Sequence, residues 1–217
     1  MGEHIDWYRT QRPGSTRSRV SILVVVALLL LCAAATLSAQ EPVDIELPTG
    51  VTTVDEFIAF RDANADTAEG GAAVMVLAMI LYVQNPDLGH DALVIALDSS
   101  ELRQDPNGYR GYTLGNRGRE FTTYYLAPRP YLAYSYLLGT SPENGYEPPA
   151  TWTVRITRNV HSEAIEGRVR LFVACTGADS PRPMTLRPNN RGVWKALEFS
   201  SLFVGIRPPV EVIDDPL

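Results

Sequence analysis

The run from Gly70 to Val83 (GGAAVMVLAMILYV) limits what this chain can become. It is apolar on every side, so as a helix it leaves no face for water and must lie in the middle of a fold. At ~1.5 Å per residue it spans about 20 Å, short of the ~30 Å hydrocarbon core of a bilayer. The glycines and alanines at its start let another backbone come close. A chain of 217 residues is long enough to wrap this helix in one well-buried domain. With 45% apolar and 20% charged residues, its composition is that of a folded protein.

Residues 1–39 open with Arg9, Arg12, Arg17 and Arg19, run through an almost wholly apolar stretch from Val20 to Leu31, and end in small residues, 33–39. A cationic region, an apolar region and small residues make an export signal, with cleavage after Ala35 or Ala39. Val20 to Leu37 is also long enough to remain as an uncleaved anchor, which would be the chain's contact with a membrane. In either form the arginines stay inside and the body is exported to the cell envelope. The body is then periplasmic, extracellular, or membrane-anchored with the C-terminal domain outside the cytoplasm. Residues 1–39 carry a net +2, so the chain's net charge of −6 leaves about −8 on that body, which argues against a nucleic-acid partner. Cys32 lies in the apolar stretch, so the body has one thiol, Cys175, and no internal disulfide. Set in Leu171–Cys175, that thiol reads as a packed strand residue.

Residues 40–52, with Pro42 and Pro48, read as a linker. Thr53 and Glu56 make a capping box, opening a helix whose inner face holds Val54, Phe57 and Ile58. Asn85-Pro86 stops the central helix. Asp91–Leu97 fits a third helix or a strand. Between Asp98 and Pro149 glycines recur and tyrosines cluster. There Asp105-Pro106-Asn107-Gly108 marks a turn, and short strands are expected at Glu120–Leu126 and Tyr131–Leu138. Trp152, Val154 and Ile156 alternate with polar residues, as do Val169, Leu171 and Val173. Pro188–Gly192 joins two more strands as a hairpin. Helices first and sheet second predict an α+β fold over 53–207: N-terminal helices packed on a C-terminal antiparallel sheet, with 208–217 as a tail.

Several stretches resemble a family of exported bacterial proteins, a domain of unknown function. They are Glu69–Ala73, Gly139–Tyr146, Asp179–Leu186, Gly192-Val193-Trp194-Lys195 and Phe199–Gly205. The resemblance covers roughly residues 53–207 and implies no activity. At the level of architecture, helices followed by long strands and a Gly-x-Trp-Lys hairpin are similar to NTF2-like folds, which wrap a curved sheet around a helix and often leave a pocket.

Four groups of residues are candidates for chemistry. Asp62, Asn64, Asp66 and Glu69 place four oxygen-bearing side chains in one inter-helix loop, a spacing that suits calcium. Thr67 and Ala73 stand where an EF-hand needs its glycine and its glutamate, and the plainer reading is a solvated helix-capping loop. Arg155, Arg168, Arg170 and Arg187 fall on one sheet face if the strands register that way, where they would hold a carboxylate or phosphate or simply pair with Glu163, Glu166 and Glu198. Tyr124, Tyr134 and their neighbours suit a glycan or peptide groove, or half-buried packing. Gly108–Arg119 offers amides and guanidiniums for an anion, without the Lys-Ser/Thr of a phosphate loop. His161-Ser162-Glu163 is mere adjacency, no Gly-x-Ser-x-Gly elbow occurs, and His90 and His161 lack zinc spacing. The expectation is a non-catalytic binding or structural module with an envelope protein or glycan as partner. The alternative is an extracytoplasmic enzyme or small-ligand binder with a pocket of arginine, tyrosine and carboxylate.

Overall fold

The computed structural model describes residues 41–211. The export or anchor segment, Cys32 and the end of the tail lie outside them. The described chain starts with strand β1 (Val43–Leu47). Helices α1 (Val54–Asn64), α2 (Ala68–Gln84) and α3 (Pro86–Ala96) follow. A small hairpin comes next, β2 (Leu102–Tyr109) and β3 (Tyr112–Leu114). Helix α4 (Asn116–Glu120) runs into a π-helical turn (Phe121–Leu126), and α5 (Tyr131–Tyr134) follows. The last third holds β4 (Trp152–Thr157), β5 (Val169–Val173), β6 (Arg182–Pro188) and β7 (Trp194–Glu198). The five-stranded sheet has the order β1-β4-β5-β6-β7, each pair antiparallel. The protein is α+β.

Helix α2 is the apolar run, and the first fourteen of its 17 residues are buried. It touches all five strands of the large sheet as well as α1 and α3. Trp152, Val154, Ile156, Leu171, Val173, Met184, Leu186 and Ala196 face it from the sheet. Each end of the helical layer is fixed by a local signal. Thr53 Oγ1 accepts from Glu56 N and the Glu56 carboxylate accepts from Thr53 N, closing the expected capping box. Asn85 ends α2 and caps α3, its side chain accepting from Leu88 N, with Pro86 at the first helical position. Asp91–Leu97, undecided by periodicity, is therefore helix through Ala96, with Leu97 the extended residue that ends it and bridges to Ala196. Among the described residues no helix is long and apolar enough to cross a membrane.

Three expectations are corrected. Residues 43–47 are a sheet strand rather than part of a linker: β1 pairs with β4 from Val43↔Ile156 to Leu47↔Trp152. Glu120–Leu126 and Tyr131–Leu138 are helical and turn segments rather than strands. Phe121, Thr122 and Leu126 pack inward from helical backbone, Phe121 against Tyr125, Phe199 and Phe203, while Thr123 and Tyr124 face out. The hairpin turns at Arg110-Gly111, with φ of 49° and 83°, while Asp105–Gly108 becomes an irregularity within β2.

Candidate functional site

The inner face of the sheet is filled by α2, so polar chemistry collects on the outer face and at its edges. Strand alternation sends Arg170 and Thr185 outward, because Leu171, Met184 and Leu186 point in. Glu198 shares the parity of the inward-pointing Ala196 and comes out beside Thr185 only because the β6–β7 register shifts between Thr185 and Leu186. The 3₁₀ turn at Ser200–Phe203 and helix α4 rise beside them. Arg117, Arg170, Pro183, Thr185, Glu198, Ser200 and Ser201 line an open cleft of about 220 Å³.

Thr185 Oγ1 lies 3.0 Å from a Glu198 carboxylate oxygen. Arg117 Nε stands 3.4 Å from Glu101 Oε2. The Arg170 guanidinium lies 5.9 Å from the centre of the Phe172 ring and, among the described residues, makes no ion pair with a carboxylate. It is the uncommitted cation of the cleft. Burial lifts the Glu101 carboxyl above its ordinary value; Arg117 opposes this, and the Asp98 and Glu198 carboxylates add to it. Burial also works to raise Asp98, yet the Arg187 guanidinium and the Ser100 N–H and hydroxyl outweigh it and hold Asp98 below the usual carboxylate range. Arg187 grips Asp98 with both Nε (3.0 Å) and Nη2 (2.5 Å). The arrangement can bind an anion that also carries hydroxyls: two guanidiniums for charge, and Ser, Thr and Glu for donors and acceptors.

The family model of a domain of unknown function, DUF6935, matches residues 49–210. The chain belongs to this family. No curated protein and no solved structure matches the chain. The outer-face cleft described above lies wholly within the DUF6935 domain.

Of the four arginines singled out in the sequence, only Arg170 lines this cleft. Arg155 is held by Asp44 of β1, Nε to Oδ1 and Nη2 to Oδ2, each at 2.7 Å. Arg187 is committed to Asp98, and Arg168 precedes β5 with its N–H donating to Ile165 O. Their partners are thus Asp44 and Asp98 rather than Glu163, Glu166 and Glu198; Glu163 pairs with Arg158 at 2.6 Å. Tyr124 stands 68% exposed on the π-helical turn, and Tyr134 packs half-buried against the core from α5. Neither joins the arginines. The four loop oxygens do not converge either. Asp62 takes Arg61, and the Asn64 amide donates to Phe60 O. Glu69 is gripped by Arg158 in a two-point bond, Nε to Oε1 and Nη2 to Oε2, along one guanidinium edge. Among the described residues, no group of three His, Cys, Asp or Glu side chains is gathered as a metal ion requires. Burial works to raise Glu69, but the Arg158 hydrogen bonds outweigh it and lower its carboxyl. His90 Nε2 is 2.9 Å from Thr113 Oγ1, and Cys175 is buried with Sγ 3.5 Å from Ser135 Oγ.

Sequence reasoning missed Thr185, Glu198, Ser200 and Ser201. The signal was present in part: Thr185 is a polar position in an alternating strand, and outward parity groups it with Arg170, whereas Glu198 shares the parity of the buried Ala196 and reaches the cleft through the register shift between β6 and β7. Arg117 belongs to the Gly108–Arg119 run, which does not form one cradle. The run spans a turn, a strand and a helix, and its arginines serve separate clefts.

Proposed function

We propose that the chain is an exported, envelope-facing module that binds its ligand without transforming it, and that the ligand is an acidic glycan. The observation that carries this reading is the filling of the sheet's inner face by α2. The interior that a curved sheet could offer a substrate is occupied by the buried residues of that helix. What remains for a ligand is the open outer cleft, where Arg170 is uncommitted and hydroxyls stand beside it. Guanidiniums fit the carboxylates of an acidic sugar, and Thr185, Ser200, Ser201 and Glu198 fit its hydroxyls. Export is supported by the cationic, apolar and small-residue succession of residues 1–39.

Calorimetric titration of the full chain with trigalacturonate, an acidic trisaccharide, tests the ligand class. The reading expects saturable binding that weakens about tenfold in Arg170→Gln, the scale of one charged hydrogen bond. No saturable binding, or equal binding by the variant, refutes it. The N-terminal sequence of the mature protein tests export: cleavage puts the start at Thr36 or Gln40, and a retained anchor leaves it in the membrane fraction.

A further inference from the structure

A second cleft lies beside the edge strand β7 and owes nothing to Arg170. Arg61, Val94, Ile95, Leu102, Tyr109, Arg110, Tyr112 and Lys195 line about 220 Å³ of open space between α3, the β2–β3 hairpin and β7. Its floor is apolar, its walls carry two tyrosines, and three cations look into it. We infer that this cleft binds a small molecule joining a flat apolar body to one anionic group. Lys195, Arg61 and Arg110 take the charge, and Tyr109 and Tyr112 take the body.

Three independent observations carry this. First, Lys195 is the only lysine of the chain, and it is placed where a cation is costly. It projects from β7 beside Arg187, and its Nζ donates to Ile95 O at the C-terminal end of α3. Among the described residues it makes no ion pair with a carboxylate, so a neutral carbonyl is its one partner. Burial, followed by the nearby Arg61 charge, pulls its ammonium down to about 8. Asp98 and Asp62 oppose this without cancelling it, because Arg187 and Arg61 hold them. An anion in the cleft would relieve that imbalance.

Second, Arg110 sits at φ 49°, the left-handed region that Asn or Gly enters with little strain. A bulky residue held there is a strained choice, and strain of this kind collects at functional positions. It sets the guanidinium 5.5 Å from the centre of the Tyr109 ring, at the cleft wall, and no described carboxylate pairs with it. Third, Tyr112 is 42% exposed on a three-residue strand although its ring is large and apolar. An aromatic ligand face gives that ring a partner.

Phenyl phosphate is the probe, with phenol and inorganic phosphate as its two halves. Calorimetric titration into the full chain is expected to give saturable binding by phenyl phosphate, with Kd on the order of 0.1–1 mM for a ligand this small. Each half alone should bind at least tenfold more weakly. Lys195→Met keeps the stem and removes the charge, and should weaken binding about tenfold. Arg110→Gly relieves the backbone strain, so it folds at least as well as the parent, and should weaken binding several-fold without lowering the melting temperature. Arg170→Gln should bind as the parent does, which separates this cleft from the first. As a second readout, acetylation of Lys195, located by peptide mapping, should slow in phenyl phosphate and not in phenol. The inference is overturned by absence of saturable binding, by inorganic phosphate binding as tightly as phenyl phosphate (an adventitious ion only), or by full affinity in both Lys195→Met and Arg110→Gly.

Discussion

Gly71→Ala reads the packing of α2 against the sheet directly, because two effects of opposite sign meet at this position. A Cβ at Gly71 would stand 2.8 Å from Trp194 Cβ, 2.9 Å from Trp194 O and 3.0 Å from Leu186 Cδ2. Carbon pairs are comfortable at about 3.5–4.0 Å, so the shortfall is near 1 Å. The Leu186 methyl can turn aside. Trp194 O and Cβ cannot, since they belong to β7, which is tied down by Trp194 N donating to Ala65 O at 2.8 Å and by its ladder to β6. The added methyl must push the helix and strand apart, an overpacking cost of about 2–3 kcal/mol. Against this, alanine gains about 1 kcal/mol over glycine in a helix. The net is a loss of about 1–2 kcal/mol, or a melting temperature lower by about 2–8 °C for a chain of this size. Urea unfolding with a shared slope gives the same quantity from the midpoint shift. If only propensity mattered, stability would rise by about 1 kcal/mol. An unchanged or raised midpoint therefore refutes the packing described for α2.

Three further outcomes follow from particular contacts. Thr53→Ala removes the capping box of α1 and should cost about 1 kcal/mol in thermal unfolding, with no loss from Thr52→Ala of comparable size. Arg158→Met strands the buried Glu69 carboxylate and should cost about 2 kcal/mol at neutral pH, less than a fully buried pair because water reaches Arg158. Glu69 is lowered in the folded state, so its stabilising effect is present above 4.5 and is lost as pH falls through its folded value. The difference between parent and variant should fade over that acid range. Lys195 gives a slope of the same sign in the basic range: its folded value of about 8 lies below the ordinary lysine value of 10.5, so the unfolded chain binds more protons between them. Stability should rise from about pH 8 toward pH 10 in the parent and not in Lys195→Met. Above 10 the trend turns, because burial holds the Tyr136 and Tyr146 hydroxyls protonated in the fold, Tyr146 pushed up to about 12.

The legible parts of this protein were those whose cause is local. The all-round apolar run needed no partner to be recognised as the central helix. The Thr53–Glu56 box, Asn85-Pro86 and the alternation in β4 and β5 are likewise written within a few residues. The misread parts depend on distant chain. β1 is short, carries Asp44 and Glu46, and becomes a strand only because β4 lies beside it, more than a hundred residues on. The aromatic run at 121–126 has strand propensity, but burial against Phe199 and Phe203 favours helical backbone there. The arginines show the same limit. Parity placed Arg155, Arg170 and Arg187 outward, yet their fates turn on Asp44, 111 residues from Arg155, and Asp98, 89 residues from Arg187. The cleft itself combines α4, three strands and a 3₁₀ turn, a conjunction that no local pattern announces.

The central claim is that the outer face of the sheet binds and the interior does not. Backbone amide shifts of the full chain during titration with trigalacturonate test it most directly. The account predicts saturable shifts centred on Arg117, Arg170, Thr185, Glu198, Ser200 and Ser201, with the buried amides of α2 unmoved. Shifts concentrated in α2 and the strands' inward residues, or a sugar product accumulating during the titration, would contradict it.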